Sequence, residues 1–507
     1  MSSTLLEVAA YTRELIVGTF GELGEDPQRA AVEYLHAYLD ELGAKSVLIE
    51  KHYVDRHYLD DFSSYYARSF DTPDSFCRRL HFFENLSPDE LEAILQSAYT
   101  DSGAGLAGTE KSLQEKYLGF VVRRPLPLAA IGRTVLRTYP ADGGRRHYEV
   151  VRPYVVNICG FRIRIDGLAF QEQDMGTAVC ASTALWSALQ RVSHVAGHRT
   201  PTPSAITRAA RSPFPASDGL FELQMASALS ELGYVADHFA PLDNRALFRA
   251  KLVSCLQSHL PVVLLLNSKT ATGSGEILAG HAVTITGFSE PTSVVEVPSA
   301  HKKLPPLPMK SGSLEVVYVH DDNLGSHAHY ELFDADEEYE GYKALKLRRG
   351  RKGKEVAWWK QDEWWITSAL VPKPDKLRAA VSALFHNIYA FTPLFEICFP
   401  NMKLSYGARF ALGVDYRRSL FKMGLDPSRM RRLQETMRLP RHIGVISAYF
   451  EERHLVDVLI DVSEVLRDPP HNAICIGLVA PGVSAQSRAG ANLQQIAGSV
   501  GALITGP

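Results

Sequence analysis

The chain has 507 residues, of which 46% are hydrophobic and 22% charged, ample for a large folded core and unlike a disordered or fibrous chain. A formal net charge of −3 gives no electrostatic argument for nucleic acid. Six cysteines without a CxxC or a Cys/His cluster argue against a disulfide framework or a zinc site. The longest unbroken apolar run, residues 260–266, falls far short of the roughly 20 residues that cross a bilayer. Glu7, Arg13 and Glu14 stand where an export signal would be apolar. The sequence therefore predicts a cytoplasmic protein with no membrane partner.

In chain order, residues 1–147 read as a mainly helical region. Asp26-Pro27 starts a helix that runs to Leu42 and stops at Gly43, followed by a short strand over 46–50. Ser87-Pro88-Asp89-Glu90 is a capping box with proline at the first helical position. The aromatic, charged stretch 52–70 between them predicts a helix packing its rings inward. A turn over 140–146 precedes strands at 148–156 and 161–165.

The next element, QEQDMGTAVCASTALWSALQ at 171–190, has apolar residues at helical spacing from Cys180. Asp174, Gly176 and Thr177 are turn and cap residues that place Cys180 near the first helical turn. About a hundred residues on, His281 opens the alternating strand His-Ala-Val-Thr-Ile-Thr-Gly-Phe after an apparent loose loop at 270–280. A third element, VVYVHDDNLG at 316–325, ends a strand in carboxylates. A thiol at a helix start, an imidazole on a strand and a carboxylate at a strand end are the parts of a nucleophile, its base and its orienting group. The other five cysteines, at 77, 159, 255, 398 and 475, have no such surroundings and read as core thiols.

This order resembles the papain-like cysteine peptidases, closest to their bacterial C39-like branch, over roughly residues 160–370. The residues that carry the resemblance are Gln173, Cys180, the run His281–Phe288, and Asp321 with Gly325 in an Asp-x-x-x-Gly turn. Residues 261–267 match the buried strand that precedes the histidine in that fold. The chain departs from the family at Ala181, where glycine is usual, and at Gln173, seven rather than six residues before the cysteine. Gln171 competes with Gln173, and Asp322 with Asp321.

The resemblance implies an α+β fold with a papain-like core at 148–374, a helical lobe carrying Cys180 packed on an antiparallel β-lobe. An N-terminal helical region (1–147) and a C-terminal α/β accessory domain (375–507), entered through a linker-like Pro372-Lys373-Pro374, flank it. It implies hydrolysis of amide bonds in a protein or peptide substrate through an acyl-thioester. In that scheme Cys180 is the nucleophile, His281 the base, Asp321 (or Asp322) the orienting group and Gln173 an oxyanion donor, with no cofactor or metal. A transglutaminase, acyltransferase or deamidase using the same triad, or a decayed binding module, are the alternatives.

Three further features have bland expectations. The seven basic residues of 343–354 predict a solvated hairpin tip. Trp358, Trp359, Trp364 and Trp365 predict cover for the β-half of the core. His320, Asp321, Asp322, His327 and His329 fit no standard zinc spacing. Beyond residue 374 the pattern predicts helices at 375–390 and 426–437 and strands at 442–450, 455–462 and 473–480.

Overall fold

The computed structural model describes residues 5–21, 27–97, 104–126, 129–174, 176, 179–212, 219–242, 244–272, 275–299, 304–339, 341–349, 363–423, 425, 427–462, 475–481, 483, 487–493 and 504–505. Asp26, Thr177, the tryptophans at 358 and 359 and the basic residues at 351–354 lie outside these. The fold is mixed α+β, and its sheets are antiparallel except for one terminal pairing.

The N-terminal part contains β1 (Leu6–Ala10), α1 (Arg13–Phe20), α2 (Pro27–Glu41), β2 (Ala44–Tyr53), α3 (Arg56–Ser64), β3 (Cys77–Glu84), α4 (Pro88–Ser97), α5 (Ala104–Lys116), β4 (Tyr117–Arg123) and β5 (Ile131–Leu136). Helices α2, α3 and α4 fall where expected, α1 and α5 were not singled out, and the capping box closes as drawn. Glu90 Oε2 accepts from the Ser87 N–H at 2.8 Å, and Ser87 Oγ from the Glu90 N–H at 3.3 Å. The sequence reading held only β2; the structure has a five-stranded sheet in the order β1-β2-β3-β4-β5. β4 is buried on both faces over Tyr117–Val122, so it lacks the alternation that marks a half-exposed strand. As expected, α3 turns its rings inward, and Trp186 Nε1 donates to buried His57 Nδ1 at 3.0 Å.

The central part runs through β6 (Arg146–His147), β7 (Arg152–Ile158), β8 (Phe161–Gly167), α6 (Cys180–Ala196), α7 (Pro203–Ala209), α8 (Glu222–Glu231), β9 (Tyr234–Phe239), α9 (Arg245–Gln257), β10 (Val262–Thr272), β11 (Gly275–Ser289), β12 (Val295–Val297), β13 (Leu307–Met309), β14 (Val316–Asp321), β15 (Gly325–Tyr339), β16 (Tyr342–Arg349) and β17 (Glu363–Pro374). Strands β10-β11-β14-β15-β16-β17 pair in sequence and β17 pairs back onto β10, so six antiparallel strands close a barrel. Closure removes the free edges an open sheet would leave. The helix α6 packs on this barrel through its small residues Ala181, Ala184 and Ala188, all buried. It ends at Gly197, whose φ of 76° is the left-handed conformation glycine adopts without strain.

Two expectations change here. Residues 270–280, read as a loose loop, lie largely in β10 and β11, which pair from Val262↔Ile285 out to Thr272↔Gly275. His281 is therefore mid-strand, opposite Leu266, rather than at a strand start. Cys159, read as a core thiol, is half-buried at the β7–β8 turn, where its φ of 48° and the 92° of Gly160 make a two-residue hairpin turn. Cys77, Cys255 and Cys398 are buried as expected.

The C-terminal part contains α10 (Val381–Cys398), β18 (Leu404–Leu412), α11 (Gly413–Ser419), α12 (Pro427–Thr436), β19 (His442–Phe450), β20 (Arg453–Asp461), β21 (Cys475–Val479) and β22 (Ile504–Thr505), with β18-β19-β20-β21-β22 forming one sheet. The segment Pro372-Lys373-Pro374 is not a linker. It ends β17, paired with β9, and Lys373 is 1% exposed with its Nζ 3.1 Å from Asp237 Oδ2. Hydrophobic packing also crosses the expected segment limits: one continuous core runs from Ile16 and Tyr38 through Leu264 and Val317 to Phe395 and Val458. Among the described residues, no helix is long and apolar enough to cross a membrane.

Candidate active site

Cys180 is the first residue of α6 and is partly exposed, with Val179 as N-cap. The N-cap Val179 has no polar side chain to accept from the first N–H groups of the helix. Asp174, expected among the turn and cap residues, accepts from the Gly176 N–H at 2.9 Å and closes the turn before the helix. One crosslink fixes the thiol's helix against the histidine's strand: Thr284 Oγ1, three residues past His281, donates to the Ala184 carbonyl at 2.7 Å.

His281 is buried, and its Nε2 lies 2.9 Å from Asp321 Oδ1. With Nε2 engaged, Nδ1 is the ring nitrogen left for the thiol, and Cys180 is among the groups that raise the basicity of the ring. Burial alone would lower the basicity of the ring, but Asp321, Cys180 and Asp322 together hold its pKa well above the usual imidazole value.

Asp321 ends β14 and is 1% exposed. Its second oxygen, Oδ2, accepts from the Tyr330 hydroxyl and faces Arg349 Nη2 at 3.3 Å, while Arg349 Nε donates to Tyr330 at 3.0 Å. Burial pushes this carboxyl up, but His281, Arg349 and Tyr330 outweigh it and hold Asp321 well below the ordinary carboxylate range. Asp322 differs. Its Oδ1 is 3.8 Å from His281 Nε2, neither of its oxygens completes a hydrogen bond, and burial pushes it up to about 7. Adjacent carboxylates thus sit in opposite electrostatic states, with Asp321 the one that bonds the imidazole.

The Asp-x-x-x-Gly spacing has a packing cause. A Cβ on Gly325 would fall 2.2 Å from the ring of Tyr34 on α2, whose hydroxyl donates to the Ser326 carbonyl at 2.9 Å. The turn after Asp321 is therefore seated on the N-terminal part. Gln173 Nε2 donates to Asn323 Oδ1 at 3.0 Å, tying the segment before Cys180 to that same turn. Gln171 is buried and its amide nitrogen has no hydrogen-bond partner.

Several residues at the site were not singled out in the sequence. Tyr330 gave no signal beyond its place on an alternating strand. Arg349 belongs to the run read as a solvated tip, yet it turns inward to Asp321. Trp364 packs over the imidazole, ring centroids 5.2 Å apart, so it walls the site as well as covering the barrel core. Trp365 follows the core expectation, 9% exposed and stacked on Tyr339.

The histidines weighed as metal ligands are engaged otherwise. His320 Nε2 meets the Leu168 carbonyl at 3.0 Å, its Nδ1 accepts from the His327 N–H, and His327 Nδ1 contacts Thr286 Oγ1. Burial pushes His320 to about 3 and His327 well down, so both are neutral. A different trio, His281, Asp321 and Asp322, has ligand atoms within 4.8 Å of one another. Its imidazole–carboxylate bond and the adjacent Arg349 guanidinium suit a hydrogen-bonded pair better than a cation. No protein-family model and no curated protein matches the chain.

Proposed function

We propose that the chain is a cysteine peptidase with a papain-like core, hydrolysing amide bonds of a protein or peptide substrate. The observation that carries this reading is the buried His281–Asp321 bond on a barrel strand that Thr284 ties to the helix opened by Cys180. Cys180 passes its proton to His281 and attacks the substrate carbonyl carbon, giving a tetrahedral oxyanion. The Gln173 amide and the Cys180 backbone N–H are the donors for that charge, each worth roughly 2.7–4 kcal/mol in comparable sites. His281 then protonates the leaving amine, the C–N bond breaks and an acyl-thioester remains. Water, deprotonated by the same imidazole, cleaves the thioester and restores the thiol.

Wild type and Cys180→Ala, expressed side by side, test the reading by mass spectrometry of cellular proteins. New protein N-termini are expected with wild type and none with the variant, at equal levels of folded protein. Equal cleavage by both would refute the assignment. Modified glutamines or acyl-amine adducts in place of new termini would assign the triad to acyl transfer instead.

A further inference from the structure

We infer that Arg124, in the connection between β4 and β5, is a positioning residue for the oxyanion donors, and that the N-terminal sheet is the scaffold of the segment leading to Cys180. The inference rests on the peptidase reading above. After β8 the chain runs along the free edge of β5 as an added strand. Thr134 and Phe170 exchange backbone hydrogen bonds at 2.8 and 2.9 Å, and the Glu172 N–H donates to the Ile131 carbonyl at 3.0 Å. The Glu172 carboxyl accepts from the Ile131 N–H at 2.8 Å, closing the pairing from the side chain.

Arg124 closes the far side of this zipper. It is 2% exposed, and a Cβ on Gly132 would fall 2.7 Å from its Cγ, so glycine makes the room in which the arginine lies. Its Nε donates to the Ala129 carbonyl at 2.9 Å, and its Nη2 to the carbonyls of Ile131 and Glu172 at 3.4 and 3.0 Å. Its Nη1 stands 3.6 Å from Asp174 Oδ2. Gln173 therefore lies between the Glu172 carbonyl, which accepts from Nη2, and the Asp174 carboxylate, whose charge faces Nη1 without a hydrogen bond.

The next turn is walled by the same N-terminal part. A Cβ on Gly176 would fall 2.7 Å from the Tyr65 ring and 3.1 Å from the Tyr66 hydroxyl. Burying an arginine is costly unless its donors are used. Here Nε and Nη2 join two backbone segments, and their shared product is the placement of residues 172–174. An oxyanion donor displaced by about 1 Å loses most of its effect, whereas a thiolate needs no such donor to react.

Two probes on the full chain separate these demands. Iodoacetamide alkylates a thiolate by displacing iodide at carbon and forms no oxyanion. p-Nitrophenyl acetate acylates it through a tetrahedral oxyanion, releasing p-nitrophenolate and leaving a thioester. Arg124→Met is expected to slow acylation of Cys180 about 10- to 100-fold while changing alkylation less than about threefold, with Arg124→Lys between it and wild type. Should Arg124→Met not fold, Asp174→Asn keeps the Gly176 turn, removes the charge facing Arg124 and is expected to shift the same ratio in the same direction. Equal falls in both rates, or unchanged acylation, would overturn the positioning role. A wild type acylated nowhere at Cys180 would instead refute the peptidase reading, and this inference with it.

Discussion

Asp321→Asn is expected to lower acylation of Cys180 by about 10³- to 10⁴-fold at pH 7, the scale seen when the orienting carboxylate of a nucleophile–base system loses its charge. Asp321 is the first of the groups that raise His281 and the acceptor of its Nε2 proton. An asparagine there removes the charge and leaves Arg349 facing a neutral amide. The same change is expected to destabilise the fold on the order of 3–5 kcal/mol, the scale of breaking a buried charge pair.

The pH dependence of that loss follows from the two shifts. Asp321 is depressed in the fold, so its contribution is present above about pH 4 and vanishes as pH falls through its folded value. His281 is raised, so its contribution is complete below about pH 6.5 and is lost as pH climbs through its folded value. Urea unfolding of wild type and variant should therefore differ most between about pH 4 and 6.5. A gap that widens toward pH 3 would contradict the assignment.

Asp322→Asn should do the opposite. Asp322 is pushed up to about 7 in the fold, so between pH 4 and 7 the unfolded chain loses a proton that the folded chain keeps. Wild-type stability falls over that interval, and an uncharged amide of the same shape escapes the loss. The variant is expected to match wild type near pH 4 and to exceed it at pH 8 by on the order of 2–4 kcal/mol. Acylation should fall far less than in Asp321→Asn, since Asp322 stands 3.8 Å from Nε2 without bonding it. Urea midpoints at the two pH values check the first statement, and p-nitrophenyl acetate bursts the second. If Asp322→Asn proves the more damaging to acylation, the orienting role passes to Asp322.

What the sequence made legible follows from how local each constraint is. Cys180, His281 and Asp321 lie on elements whose own residues announce them: a helix with a small apolar face, a β-branched strand, a strand ending in a turn. Gly325 showed in the Asp-x-x-x-Gly spacing, although its cause, the ring of Tyr34 nearly three hundred residues earlier, did not. Arg349 looked solvated because its neighbours are basic, and only the pairing of β16 on β15, which sets Arg349 opposite Tyr330, brings it to Asp321. Arg124 gave no signal, since its partners are backbone carbonyls that carry no side-chain pattern. The loop expected at 270–280 failed because its glycine and small polar residues resemble loop composition, while the pairing that makes it strand comes from β10. Pro372-Lys373-Pro374 looked like punctuation because prolines cannot donate to a ladder, yet the segment pairs with β9 and anchors a buried lysine.

The central claim, that Cys180 is a nucleophile served by His281, is tested most directly by the rate of iodoacetamide alkylation at each cysteine, resolved by peptide mapping at pH 6. Cys180 should be labelled about tenfold or more faster than Cys159, also a partly exposed thiol, and His281→Ala should remove that advantage. Labelling of Cys180 no faster than Cys159, or a rate untouched by His281→Ala, would contradict it.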